Sequence, residues 1–144
     1  MFRTAAAAVF MALLTTTAAA EMPRDPLDSP VWNDLAKKTF GDATVVFDDR
    51  VKVVVPSIVE NQAQVPVSAD ARALPNVQRL IVLTDLNPIQ HVLTLTPVPA
   101  KAEAYISFRI KVEQATPVRA AALTSDGVWH VGGVFLEAAG GGCS

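Results

Sequence analysis

The chain has 144 residues, the size of one ordinary domain, with 51 % hydrophobic and 18 % charged residues and a formal net charge of −2. That balance excludes a disordered polyampholyte, and with Lys37-Lys38 the only adjacent basic pair it leaves nucleic-acid binding no electrostatic basis. Ten prolines and seven glycines, spread along the chain, suit short strands joined by turns better than a helical bundle.

Residues 1–20 read as a secretory signal peptide: Arg3 starts it, an apolar stretch runs from Ala5 to Leu14, and Ala18-Ala19-Ala20 forms a small-residue cleavage site before Glu21. The apolar run is too short to span a bilayer, and no other run is longer, so no membrane segment is expected. No twin arginine is present, which points to the general export route and a periplasmic destination. Removing this segment takes Arg3 and no acidic residue, leaving 11 basic against 14 acidic residues and a balance of −3.

Residues 21–42 predict an extended lead-in, with Pro23 and Pro26, followed by a short helix. Asp28 or Ser29 is the expected cap, Pro30 suits the first turn, and Gly41 is a natural stop. Trp32, Leu35 and Phe40 share a face at helical spacing, which predicts packing onto a sheet rather than a free partner-binding stripe.

Residues 43–137 change period. The segments 45–47, 51–55, 65–68, 78–84, 92–96, 104–112, 118–124 and 128–137 are rich in β-branched and aromatic residues and read as strands. Turn residues separate them, and Ser125-Asp126-Gly127 predicts a tight hairpin with positive φ at Asp126-Gly127. Such spacing argues for an all-β, two-sheet antiparallel sandwich. The cysteine pair of antibody domains is missing, so the expected fold is Ig-like only.

Residues 138–144, Ala-Ala-Gly-Gly-Gly-Cys-Ser, contain no large side chain to bury and predict a flexible arm. Cys143 is the only cysteine, so no disulfide can form within the chain, and a lone thiol in an exported protein implies pairing with another molecule or a reactive role. Gly140, Gly141 and Gly142 make the arm thin, and it can sweep roughly 20 Å at about 3.3–3.6 Å per residue. No basic side chain lies in the segment to activate the thiol, so the expectation is a carrier rather than an enzyme. A frayed end that forms a disulfide with a second copy is the other reading of the same residues. Prenylation fits poorly, because the cysteine is second from the end of this sequence.

Several stretches, in order, strengthen the carrier reading: Ile58-Val59-Glu60-Asn61, Val65-Pro66-Val67, Asn87-Pro88, Phe108-Arg109-Ile110-Lys111, Thr116-Pro117-Val118, Ser125-Asp126-Gly127 and Gly141-Gly142-Cys143. With them, the chain from about Ala43 onward resembles the SoxY family, the sulfur-carrying subunit of the periplasmic thiosulfate-oxidising Sox system. The resemblance implies an Ig-like sandwich paired with a SoxZ-like sandwich subunit, with Cys143 as the covalent attachment residue. It implies three transient clients: a Sox c-type cytochrome that conjugates thiosulfate to the cysteine, a hydrolase that releases sulfate, and a sulfur dehydrogenase that oxidises the remaining sulfur. No cofactor other than the sulfur intermediate on Cys143 is implied, no catalytic residue and no metal site. Two departures stand out: the family usually ends Gly-Gly-Cys-Gly-Gly where Ser144 stands here, and it commonly carries a twin-arginine signal. Both fit a fused SoxYZ-like carrier that accompanies quinoprotein dehydrogenases and takes another cargo. A non-carrier, exported Ig-like interaction module is the remaining alternative.

The other polar residues give weaker signals. His91 and His130, the only histidines, match no metal-ligand spacing and read as ordinary surface or half-buried side chains. Arg109, Lys111 and Arg119 fall on what read as adjacent strands and would face an anionic cargo, a partner or, as on most sheet faces, solvent. Asp48-Asp49 reads as a turn, and no Ser-His-Asp pattern, phosphate loop or nucleotide fingerprint is present.

Overall fold

The period-two segments form strands and the single helical stripe forms a helix, in the order the sequence predicts. The computed structural model describes residues 12–13, 21–97 and 102–138. Helix α1 (Trp32–Phe40) precedes β1 (Val45–Phe47), β2 (Lys52–Val54), β3 (Val65–Asp70), β4 (Val77–Thr84), β5 (His91–Leu95), β6 (Tyr105–Ile110), β7 (Thr116–Thr124) and β8 (Trp129–Leu136). The strands make a two-sheet, Ig-like sandwich, five-stranded in the order β1-β8-β7-β4-β5 and three-stranded in the order β2-β3-β6. Pairing is antiparallel except at β1, which runs parallel to β8 with Val45 opposite Trp129. These two strands come from distant parts of the chain, so no hairpin constrains their direction. No helix among the described residues is long and apolar enough to cross a membrane.

Alternation along β4 and β7 creates two cores. Leu80, Val82, Val118, Ala120 and Ala122 face the three-stranded sheet and pack with Val53, Val65, Val67 and Ile110. The intervening Ile81, Leu83 and Ala121 face the other way, under Trp32, Leu35, Ala36 and Phe40 of α1. Burial on both faces explains why β4 and β7 read as nearly continuous apolar runs. Each large side chain that α1 buries contributes about 1.5–3 kcal/mol, and Phe40 stacks on Trp129 with ring centres 5.0 Å apart. At Gly132 a Cβ would lie 1.9 Å from the Val51 carbonyl oxygen, so the close approach of β8 to the β2 segment requires glycine there.

Two local expectations are corrected. Neither Asp28 nor Ser29 caps α1; the N-cap position is Val31, with no side-chain cap. Upstream, Asp25 accepts hydrogen bonds from the N–H groups of Leu27 (3.1 Å) and Ser29 (2.8 Å), which turns the chain before the helix begins. In the β7–β8 hairpin only Gly127 takes positive φ, at 81°, because the loop closes through Gly127 N–H donating to the Thr124 carbonyl (3.0 Å).

Candidate functional site

Strand registers gather several strand ends at one pole of the sandwich. Leu136, ending β8, lies opposite Thr116, which begins β7. Ile110, ending β6, lies opposite Val65, which begins β3. Thr84, ending β4, lies opposite Val118 near the start of β7. From this pole the chain runs on toward Cys143: Leu136 is fully buried, and Ala138 packs half-buried against the core between the sheets. Gly140, Gly141, Gly142 and Cys143, the expected arm and attachment residue, lie outside the described residues.

The loops around this pole are cross-braced. Asn87 donates from its side-chain amide to the Lys111 carbonyl (2.9 Å) and accepts from the Glu113 N–H (3.1 Å). Leu86 N–H donates to Thr116 Oγ1 (2.9 Å), and the Gln114 side chain donates to the Leu86 carbonyl. Val112 N–H donates to the Gln62 carbonyl (2.8 Å), tying the β2–β3 loop to the β6–β7 loop. A firm platform therefore surrounds the point where the chain departs.

Beside the platform lies a groove of about 400 Å³ lined by Pro56, Ile58, Val59, Glu60, Asn61, Gln64, Val65, Pro66 and Arg109. Ile58 is 76 % exposed although apolar. Arg109 Nη1 donates to Gln64 Oε1 at 3.3 Å. A larger groove, about 630 Å³ and lined in part by Arg72, Gln78 and Glu103, lies at the opposite pole.

The three cations grouped from the sequence separate. Arg109 and Lys111 are exposed, on β6 and just beyond it, and Lys111 approaches Glu113 at 3.8 Å. Arg119 sits on β7 in the other sheet, on the face under α1, and is only 1 % exposed. It donates to both oxygens of Asp25 (2.7 and 2.8 Å) and of Asp85 (2.9 Å each), with the Trp32 ring 4.1 Å from its guanidinium carbon. Arg119 thus faces neither cargo nor solvent; it holds the lead-in to the sheet. Burial pushes the Asp25 carboxyl upward, but the Arg119 guanidinium and the Ser29 and Leu27 amides outweigh it and hold it below the ordinary value of 3.8.

The histidines and the acidic turn take structural positions. His130 is half-buried, with Nδ1 2.8 Å from Asp48 Oδ2 and Nε2 3.2 Å from Thr124 Oγ1. Arg50, bonded through its side chain to Asp48, holds that carboxyl well below the usual carboxylate range, with His130 assisting. His91 is exposed beside Thr94. Asp25 and Asp85 were the partners missed from the sequence. The available signal was Arg119 itself, a cation inside an apolar run, which demands a buried counter-charge.

The family model described as Sulfur oxidation protein SoxY matches residues 36–143. The chain belongs to the SoxY family. The matched span opens within α1 and ends on the lone cysteine. The sulfur carrier protein SoxY from Chlorobium limicola f thiosulfatophilum has a similar structure, with a TM-score of 0.64 at 18 % identity, covering 74 % of this chain and 94 % of its own. Two superoxide reductase (neelaredoxin) structures from Ignicoccus hospitalis, both 13 % identical, reach TM-scores of 0.56 and 0.53, covering 65 % and 73 % of this chain and 93 % and 86 % of theirs. At these identities the solved structures establish a shared sandwich fold. A comparison with curated proteins finds no match.

Proposed function

We propose that this SoxY-family chain is a periplasmic carrier that holds thiosulfate-derived sulfur covalently on Cys143 and presents it to Sox-type enzymes. The observation that carries the reading is the family match, which extends to Cys143, the only cysteine of the chain. The braced pole supports it: a rigid base from which five residues lead from Ala138 to a thiol suits delivery to separate active sites. A SoxZ-like sandwich subunit is the stable partner, and the cytochrome, hydrolase and sulfur dehydrogenase are transient ones.

In loading, the Cys143 thiolate and the outer sulfur of thiosulfate form an S–S bond. Two electrons pass to the client cytochrome, and Cys–S–S–SO3⁻ remains. Hydrolysis then breaks the bond between sulfur and sulfonate. The water oxygen leaves in sulfate, and a persulfide stays on the arm. This chain contributes the attachment sulfur and the reach, and the clients supply the catalysis.

Intact-mass measurement tests the reading. Mature protein incubated with thiosulfate and the client cytochrome alone is expected to gain one S2O3 unit on Cys143, removable by a thiol reductant, and Cys143→Ser to gain none. Recovery of only the free thiol, or undiminished pathway activity with Cys143→Ser, refutes it.

A further inference from the structure

On the helix-covered side of the five-stranded sheet, a pocket of about 350 Å³ lies between α1, β4 and β5. Three basic side chains reach it from these three elements: Lys38 from α1, Arg79 from β4 and His91 from β5. None of the residues lining it is acidic. The grooves around Arg72, Arg109 and Lys52 each hold a carboxylate as well, from Glu103, Glu60 and Asp48 respectively. The Lys38 and Arg79 side chains are exposed and make no hydrogen bond or ion pair among the described residues. In a chain of net charge −2, this pocket is a local surplus of positive charge with no counter-charge of its own.

Strand geometry assembles one wall of the pocket. Val82 lies opposite Leu93 but Leu83 lies opposite His91, so Val92 is an extra residue on β5. In a regular strand His91 and Thr94, three positions apart, would point to opposite faces. The bulge brings them to one face, where His91 Nε2 lies 2.8 Å from Thr94 Oγ1. Bulges of this kind re-aim side chains and recur beside functional sites. The floor is apolar, formed by the buried side chains of Leu35, Ile81 and Trp129. Cationic rim, hydroxyl and apolar floor together make a concave site for a small anion.

We propose that this pocket binds free thiosulfate reversibly, as a non-covalent station on the carrier that does not use Cys143. The choice of thiosulfate rests on the carrier reading above. Lys38 and Arg79 supply two positive charges for a dianion, and the planar guanidinium matches two oxygens of its –SO3 group. The Thr94 hydroxyl and the His91 ring stand on the same wall to meet the remaining oxygen. The outer sulfur is softer and less strongly hydrated than an oxygen, so it gives up water against Ile81 and Trp129 at lower cost than sulfate does. The pocket thereby separates the substrate from sulfate, the ion that hydrolysis releases. No bond forms or breaks there, so no oxidant is required.

Cys143→Ser protein, free of clients, isolates the pocket from covalent loading. In isotope-labelled Cys143→Ser chain, thiosulfate added at constant ionic strength is expected to shift the Arg79 Nε–H, the Thr94 amide and the Trp129 indole N–H saturably. The Trp32 indole, beside Arg119, serves as the internal control and should not move. Sulfate is expected to need about tenfold higher concentration for the same shifts. Arg79→Gln should weaken thiosulfate binding about tenfold, with Arg79→Lys between it and the parent. Lys38→Gln is an independent variant on the same rim, and both positions are exposed, so thermal midpoints should show every variant folded.

No saturable shift, equal affinity for sulfate and thiosulfate, or unchanged affinity in Arg79→Gln overturns the proposal. So does loss of thiosulfate binding when the SoxZ-like subunit is added, which assigns the pocket to that partner. None of these results touches carriage on Cys143, because the cysteine is absent from the measurement. Failure of carriage appears instead as a missing adduct in the mass measurement, with the affinity of the pocket unaltered.

Discussion

Two arginines ten positions apart show how differently the two regions of this molecule use charge. Under α1, Arg119 is buried, bonded to both oxygens of Asp25 and of Asp85, and covered by the Trp32 ring. At the pole, Arg109 is exposed and holds one amide oxygen at 3.3 Å. The first has surrendered its hydration to fixed partners and is part of the architecture. The second keeps its hydration and its donors, and so remains available to something that arrives. Side-chain type does not decide between the two; the counter-charges brought to each do.

The comparison can be broken most severely at Arg119. Arg119→Ala leaves two carboxylates facing each other in a buried site, and chemical denaturation should show a loss of about 3–5 kcal/mol. Arg109→Ala, measured the same way, should shift stability by no more than about 0.5 kcal/mol. A similar loss for both would mean that the pole is as structural as the helix-covered face.

Acid sharpens the contrast with a smaller effect. The folded-state pKa of Asp25 is depressed, so its contribution is complete above the unfolded value of 3.8 and is lost as pH falls below that through the folded value. The thermal midpoint should therefore drop on acidification below about pH 4, and Asp25→Asn should flatten part of that drop. An unchanged acid profile in Asp25→Asn would show that the lead-in is not held by charge.

The smallest effect is expected beyond the pole. Deleting residues 140–144 should leave the thermal midpoint of unloaded protein unchanged within about 1 °C, since those residues carry no large side chain to bury. A fall of several degrees would show that the segment packs in the absence of cargo.

Most of the fold was legible because its elements obey local rules. Val45, Val46 and Phe47, the alternation through β3, and the apolar runs of β4 and β7 announce strands by periodicity, and the Trp32–Leu35–Phe40 stripe announces a helix seeking a surface. What could not be read depended on residues distant in sequence. The parallel seat of β1 on β8, the separation of β6 and β7 into different sheets, and the pairing of Arg119 with Asp25 are all long-range choices. The missing cap on α1 belongs with these: Asp25, committed to Arg119, turns the chain ahead of the helix, and neither Asp28 nor Ser29, the expected caps, stands at the N-cap position. At the candidate site, the sequence order of Ile58, Val65 and Arg109 was visible. Their meeting in one groove required the β3–β6 register.

The parallel seat of β1 also bears on how the molecule assembles. Val45 waits for Trp129, and Asp25 waits for a partner 94 residues further along, so the first-made part of the domain is fastened by some of the last. A chain emerging amino end first therefore exposes Trp32 and Phe40 until β7 and β8 exist, and it must close long loops before those rings are covered. Interrupted synthesis would leave an early helix with no surface to settle on. Completion of the final hairpin is the event that turns an aggregation-prone stub into a finished domain.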